Sequence, residues 1–287
     1  MKVFRQTALW PALALCLSGR SFVTASEPDK SQYHLLNPVP REAMRPLITD
    51  RPSLTEGPYT VDAGHFQVES DIATWTHDTD SSGVVSEMTK SASVNLKTGL
   101  LPSLDLHLIL DSYVRTRTED RSAGISDRAS GLGDLTVRFK KNFWGNDSGS
   151  SAFGMIPYFK VPTAGRGLGN GSVEGGLMLP LALSLPGELD LGLQTRLDCL
   201  RNDGRSGHHL ESVNSVVVGH SIVGPLSGYV EFFTIHPFAS NSPWQGLVDC
   251  GVTYLLTEDI QLDAGCNFGV TASAPDYNPF LGLSWRF

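Results

Sequence analysis

The chain is expected to be all-β, folded as an antiparallel transmembrane up-and-down β-barrel of about twelve strands, with ten or fourteen as alternatives. Three observations carry that expectation. The N-terminus has the layout of an export leader. Apolar and polar residues alternate with period two through most of the chain after Gly64. Connections between the alternating stretches switch regularly between short and long.

The leader comes first. Lys2 and Arg5 precede an apolar run from Ala8 to Leu17, and Val23-Thr24-Ala25 supplies the small residues of a cleavage site. Residues 1–25 therefore read as a signal peptide, with Ser26 opening the mature chain. The run is too short to cross a bilayer as a helix. Leu13-Ala14-Leu15-Cys16 looks like a lipoprotein site, but Leu15 stands where a small residue is needed. The leader implies export; together with the barrel strands described below, the expected destination is the outer membrane of a Gram-negative-type envelope.

Residues 26–63 form a second part, polar and broken by Pro38, Pro40, Pro46, Pro52 and Pro58. This segment is either a periplasmic extension or a piece that folds into the barrel mouth. Asp50 and Arg51 are its candidate docking groups, a lumen plug that would meet charges on the inner wall. A plain turn held by Pro52 is the other reading of the pair.

Residues 64–287 carry the strands. Leu104, Leu106, Leu108 and Leu110 alternate with Asp105, His107, Ile109 and Asp111, and Leu135, Val137 and Phe139 alternate with Thr136, Arg138 and Lys140. The same period runs through 177–185, 189–198 and 260–270. Several stretches reach about ten residues, enough for a tilted strand to cross a bilayer. Short connections fall at Leu101-Pro102-Ser103, Pro186-Gly187-Glu188, Gly224-Pro225-Leu226 and Thr257-Glu258-Asp259, with 144–150 somewhat longer. Between them lie longer polar stretches, including 77–87, 115–130, 163–172 and 199–211.

The two faces differ in charge. The apolar face is almost free of it. The other face holds the candidate pore-lining residues Glu69, Asp71, Lys97, Asp105, His107, Asp111, Asp134, Arg138, Lys140, Glu174, Asp190, Arg196, Glu231 and Asp263, together with Lys160, Asp198 and Asp249. In a sandwich core each would cost several kcal/mol (roughly); in a wet lumen they cost little. Acids outnumber bases on this face, which favours cations or neutral solutes over anions. Arg138 and Lys140 are expected to pair with neighbouring carboxylates and brace the wall.

The final strand places Leu281, Leu283, Trp285 and Phe287 on the apolar face and Ser284 and Arg286 on the other. A closing strand that stops on an outward aromatic is how an outer-membrane barrel ends, so Phe287 is expected to be read by the barrel-assembly machinery. Cys199, Cys250 and Cys266 remain after leader removal, an odd number that argues against a disulfide framework. Cys250 and Cys266 are equidistant from Glu258, so they form either a cross-strand cysteine pair or two small apolar side chains facing lipid.

Several motifs then point one way. Ile48-Thr49-Asp50-Arg51-Pro52-Ser53-Leu54-Thr55, the stretch 60–69 (Thr-Val-Asp-Ala-Gly-His-Phe-Gln-Val-Glu) and Gly131-Leu132-Gly133-Asp134-Leu135-Thr136-Val137-Arg138-Phe139-Lys140 lead. Lys160-Val161-Pro162-Thr163, Leu179-Pro180-Leu181, Gly228-Tyr229-Val230-Glu231 and Leu262-Asp263-Ala264-Gly265 follow. Together they resemble the outer-membrane transporter family associated with the meta pathway of phenol degradation. The resemblance covers most of the mature chain. It implies an outer-membrane barrel and passage of small, including aromatic, molecules. Cys250 and Cys266 belong to none of these motifs.

Other classes fit less well. The net charge is −8 and becomes more negative without Lys2, Arg5 and Arg20, which speaks against nucleic acid. No His-x-Ser step, no Gly-Lys-Ser/Thr after the glycines at 165–171 and no zinc-ligand spacing occur. Neither an enzyme, a metal nor a cofactor is expected. The expected partners are outer-membrane lipid and a small-molecule solute. The leading function is a passive channel or transporter for small neutral or cationic solutes. A closed barrel with a structural or surface-binding role and a secreted soluble β-protein are the alternatives.

Overall fold

In the computed structural model, residues 29–165, 167–202, 206–239 and 242–287 are described. The expected leader and its cleavage site after Ala25 lie outside them. Among the described residues thirteen strands follow one another: β1 (Phe66–Thr79), β2 (Val85–Leu101), β3 (Leu104–Asp120), β4 (Ile125–Gly131), β5 (Leu135–Trp144), β6 (Ser151–Val161) and β7 (Glu174–Leu185), then β8 (Leu189–Arg201), β9 (His208–Val223), β10 (Leu226–Pro237), β11 (Gln245–Thr257), β12 (Ile260–Gly269) and β13 (Tyr277–Arg286). Pairing between these strands is antiparallel, and β1 closes the sheet on β13. β3 pairs with β5 over Leu104–Leu110 and with β4 over Val114–Asp120. The wall is thus a closed twelve-stranded barrel with one extra strand. No helix among the described residues is long and apolar enough to cross a membrane.

Burial is inside out relative to a soluble protein. Phe139, Leu197, Phe232, Val252, Leu281 and Trp285 stand on the outer surface with 40% or more of their area exposed. Glu69, Lys97, Asp105, Lys140, Asp198, Glu231 and Asp249 are buried inside. That distribution suits lipid outside and a polar interior. Aromatic rings gather near both rims. Phe66 stacks on Phe287, with Trp285 beside it, and Phe153 packs on Phe143 and Trp144 at the end with the short turns. At the other end Trp75 and His77 both pack on Tyr277. Two such belts are what the two interfaces of a bilayer select.

The strands run further than the alternation indicated, and this corrects the expected loops. Much of 77–87 and 115–130, read as connections, is paired strand: β1–β2 closes on a turn at 80–84 and β3–β4 on 121–124. Beyond the lipid both faces of a barrel are wet, so no apolar period marks the strand. Arg117 instead pairs with Glu87 and Glu119 across and along the sheet.

Cys250 and Cys266 are direct partners across β11 and β12, both free thiols on the outer face. Phe66 and Phe287 exchange both backbone hydrogen bonds, and Val270 donates to the Gly246 carbonyl at 2.8 Å. Counting from these contacts makes Cys250–Cys266 a hydrogen-bonded pair, the wider of the two antiparallel pair types, with Cα atoms about 5.5 Å apart. Its Cβ atoms diverge beyond the roughly 3.8 Å that a disulfide favours. Mild oxidation of the folded protein is therefore expected to leave both thiols alkylatable. Mass spectrometry that found both adducts lost together would contradict this.

Candidate functional site

The inside of the barrel is occupied at mid-height by the proline-interrupted segment, here called the strap (residues 49–58). Its prolines keep it out of any ladder, so its backbone donors are free for wall side chains. Wall carboxylates take several of them. Leu54 and Thr55 donate their backbone N–H groups to Glu231 at 2.7 and 2.8 Å, and Asp50 N–H donates to Glu69 at 3.0 Å. Glu56 N–H donates to Gln194 at 3.1 Å, and Thr55 and Ser215 hydroxyls meet at 2.7 Å. Leu54 adds an apolar foot on Phe233, Leu247 and Ala274, the only core cluster among the described residues.

Asp50 and Arg51 point in different directions. Asp50 accepts from Lys140 at 2.6 Å and from Lys97 at 2.5 Å, and Lys97 also reaches Glu69. Burial alone would push the Asp50 carboxyl up, but Lys140 and Lys97 outweigh it and hold the group well below the usual carboxylate range. Arg51 turns to the adjoining stretch of wall on β1 and β12, donating to Asp71 at 2.5 Å and to Asp263 at 2.8 and 3.1 Å. Its guanidinium lies against Gly282 of β13, where any side chain would collide with it. Two carboxylates at once favour a planar fork over a lysine.

The other expected residues sort by height. Arg138 pairs with Glu56 of the strap at 2.5 Å, and His107 contacts Asp105 at 3.0 Å, whose other oxygen accepts from Val61 N–H. Arg138 and Lys140 thus brace the strap, not neighbouring wall carboxylates as expected. Towards the loop end, Arg196 pairs with Asp198, Lys160 with Glu174 and Asp134, and Lys90 with Asp111. Asp134 sits between β4 and β5 and accepts from Ala164 N–H, so it holds a loop as well. Asp190 lies near the turn end, within reach of the Ser184 hydroxyl at 3.3 Å.

The segment before the strap covers the turn end. Asp62 accepts from Lys30 and from Arg45 N–H, and the Arg45 guanidinium lies within ion-pair distance at 3.1 Å. Arg286 donates to the Arg45 carbonyl at 2.7 Å and to Asp259 at 2.8 Å. The Arg41 hydrogen bond, helped by Arg286, lowers the Asp259 carboxyl against the opposing effect of burial. The sequence points to the stretch Thr49–Thr55 as lumen-filling, with only Asp50 and Arg51 as docking groups; the contacts of Lys30, Arg45, Leu54, Thr55 and Glu56 were missed. Only the density of polar residues between prolines hinted at them.

Comparison with known proteins agrees with this architecture. A family model described as "Putative MetA-pathway of phenol degradation" matches residues 49–287, from the first strap residue to the last strand. No curated protein matches the chain. Among solved structures, the COG4313 outer membrane channel from Pseudomonas putida F1 is similar in fold, with a TM-score of 0.61 and 12% identity over 84% of this chain and 100% of that one. The β domain of the Bordetella autotransporter BrkA gives a TM-score of 0.52 at 12% identity, covering 78% and 99%. The NanC porin gives 0.50 at 10% identity, covering 77% and 98%. With most of its length, strap included, matched by one family model, the chain belongs to the family of the MetA pathway of phenol degradation.

Proposed function

We propose that the protein is a passive, non-enzymatic channel of the outer membrane for small neutral or cationic solutes, aromatic ones included. The carrying observation is how the strap divides the lumen. A chamber of about 640 Å³ lies on its loop side and one of about 540 Å³ on its turn side, with a side chamber of about 200 Å³ next to β2 and β3. Arg51, Pro52 and Ser53 are on the walls of all three. The stretch Arg51–Ser53 thus borders space on both sides, so a local shift there would join the chambers and let a solute pass. The family's link to phenol degradation supports an aromatic solute.

The charge of the lumen supports the selectivity. Among the described residues, Asp190, Glu231 and Asp249 have no lysine, arginine or histidine within ion-pair distance, whereas the lumen bases Lys97, Arg138, Lys140, Lys160 and Arg196 are all paired. Unbalanced carboxylates leave a negative potential that attracts cations and repels anions. Planar-bilayer recording in a salt gradient tests this: the reversal potential is expected to report cation preference. Anion preference would overturn the selectivity.

A second reading, a closed barrel with a structural or surface-binding role, is favoured by the Asp50 ion pairs that fill mid-lumen. Silence in every salt would select it over the channel.

A further inference from the structure

We propose that the chamber on the loop side of the strap binds a small organic ammonium ion, a primary ammonium carried on a compact apolar or aromatic body. The idea rests on the channel reading only for how the ligand arrives. At its centre is Asp249 of β11, which is 1% exposed and lines the chamber. Its Oδ2 accepts from the Tyr229 hydroxyl at 2.8 Å, while its Oδ1 has no hydrogen-bond partner. A buried acceptor left without a donor is destabilising, more so when it is charged.

The neighbourhood deepens the deficit. Asp249 stands directly opposite Glu231 in the β10–β11 pairing, and like charges so placed repel. Glu231 is satisfied by Leu54, Thr55 N–H and the Thr55 hydroxyl. Asp249 has no comparable supply. The cations that share the chamber are engaged elsewhere, Arg51 with Asp71 and Asp263, and Lys90 with Asp111 at 2.9 Å. A ligand ammonium would give Oδ1 a donor and offset both carboxylates at once.

The rest of the wall selects what carries the charge. Phe233 and Leu247 are direct partners across the same two strands, next to the carboxylates, and Ile235 packs on them. Phe280 of β13 lies across Gly265, whose missing side chain makes room for the ring inside the lumen. A hydrated metal ion gains nothing from such a surface. An ammonium on an apolar body gains both the charge contact and burial, with the aromatic faces adding cation–π attraction.

The test is calorimetric titration of the full-length mature protein in detergent with benzylamine, which is cationic at neutral pH. Benzyl alcohol and benzoate serve as its neutral and anionic counterparts. Benzylamine is expected to saturate one site about tenfold more tightly than benzyl alcohol, a difference of about 1.4 kcal/mol, with no saturation by benzoate. Asp249→Asn is expected to reduce benzylamine to the level of benzyl alcohol. The proposal is overturned if benzoate or benzyl alcohol binds as well as benzylamine, if the heats match protein-free micelles, or if Asp249→Asn changes nothing. Should that variant fail to fold, the three-ligand comparison on the unmodified protein decides. Conductance without benzylamine binding removes this site and leaves the channel; binding without conductance does the reverse.

Discussion

Replacing Asp50 by Ala is expected to destabilise the folded barrel by about 3–5 kcal/mol, because it removes one partner of a buried charge cluster and leaves the others uncompensated. Lys97 and Lys140 both converge on this carboxylate, and their side chains are 3% and 1% exposed. Lys97 would retain Glu69, but Lys140 has no other carboxylate within ion-pair distance among the described residues. Asp50 also accepts from Gly57 N–H at 2.9 Å, so the strap loses its own internal tie. The urea midpoint for unfolding in liposomes measures the loss, and a midpoint unchanged by Asp50→Ala would refute the cluster. Acid is expected to imitate the variant. A carboxylate lowered by its partners contributes stability that is complete above its unfolded value near 3.8 and is lost as pH falls through the lower folded value. The difference between the parent and Asp50→Asn should accordingly be flat above about pH 5 and shrink below about pH 4.

Arg51→Ala should act on passage as well as on stability, since it leaves the buried Asp263 carboxylate without its partner. Arg51 reaches from the strap to Asp71 and Asp263, and its removal takes away the bridge between the two principal chambers. It also frees two more carboxylates. Single-channel conductance is expected to rise several-fold, with stronger cation preference. Gly282→Val should do the same by a different route, since its side chain would occupy the space of the guanidinium. Unchanged conductance in both variants would mean that current does not pass beside Arg51.

The sequence disclosed the wall more readily than its contents. Strict alternation, as at Leu104–Asp111, reports one face in lipid and one in a polar lumen. The weak stretches had physical causes. Val216, Val217 and Val218 are apolar in succession, and Val213 and Val217 point inward against the strap side of the lumen, so the period blurs along β9. Strand β4 was hidden because its residues, Ile125–Gly131, lie beyond the lipid where no apolar face is required. Asp50 and Arg51 stood out as charges beside a proline. Their partners did not, because Lys140 and Asp263 are 90 and 212 residues away and no local spacing encodes that. The chamber around Asp249 has the same origin: β1, β2, β10, β11, β12 and β13 each lend it one to three residues.

A disulfide that ties the strap to the wall tests the central claim most directly. Thr55 and Ser215 hydroxyls are 2.7 Å apart, one on the strap and one on β9. With Cys199, Cys250 and Cys266 replaced by Ala, Thr55→Cys together with Ser215→Cys is expected to cross-link fully on oxidation of the membrane-embedded protein. The locked form should conduct less than the reduced form, with the difference abolished by reductant. Failure to cross-link would show that the strap does not lie in the lumen. Cross-linking with identical currents in both states would show that it lies there without controlling passage.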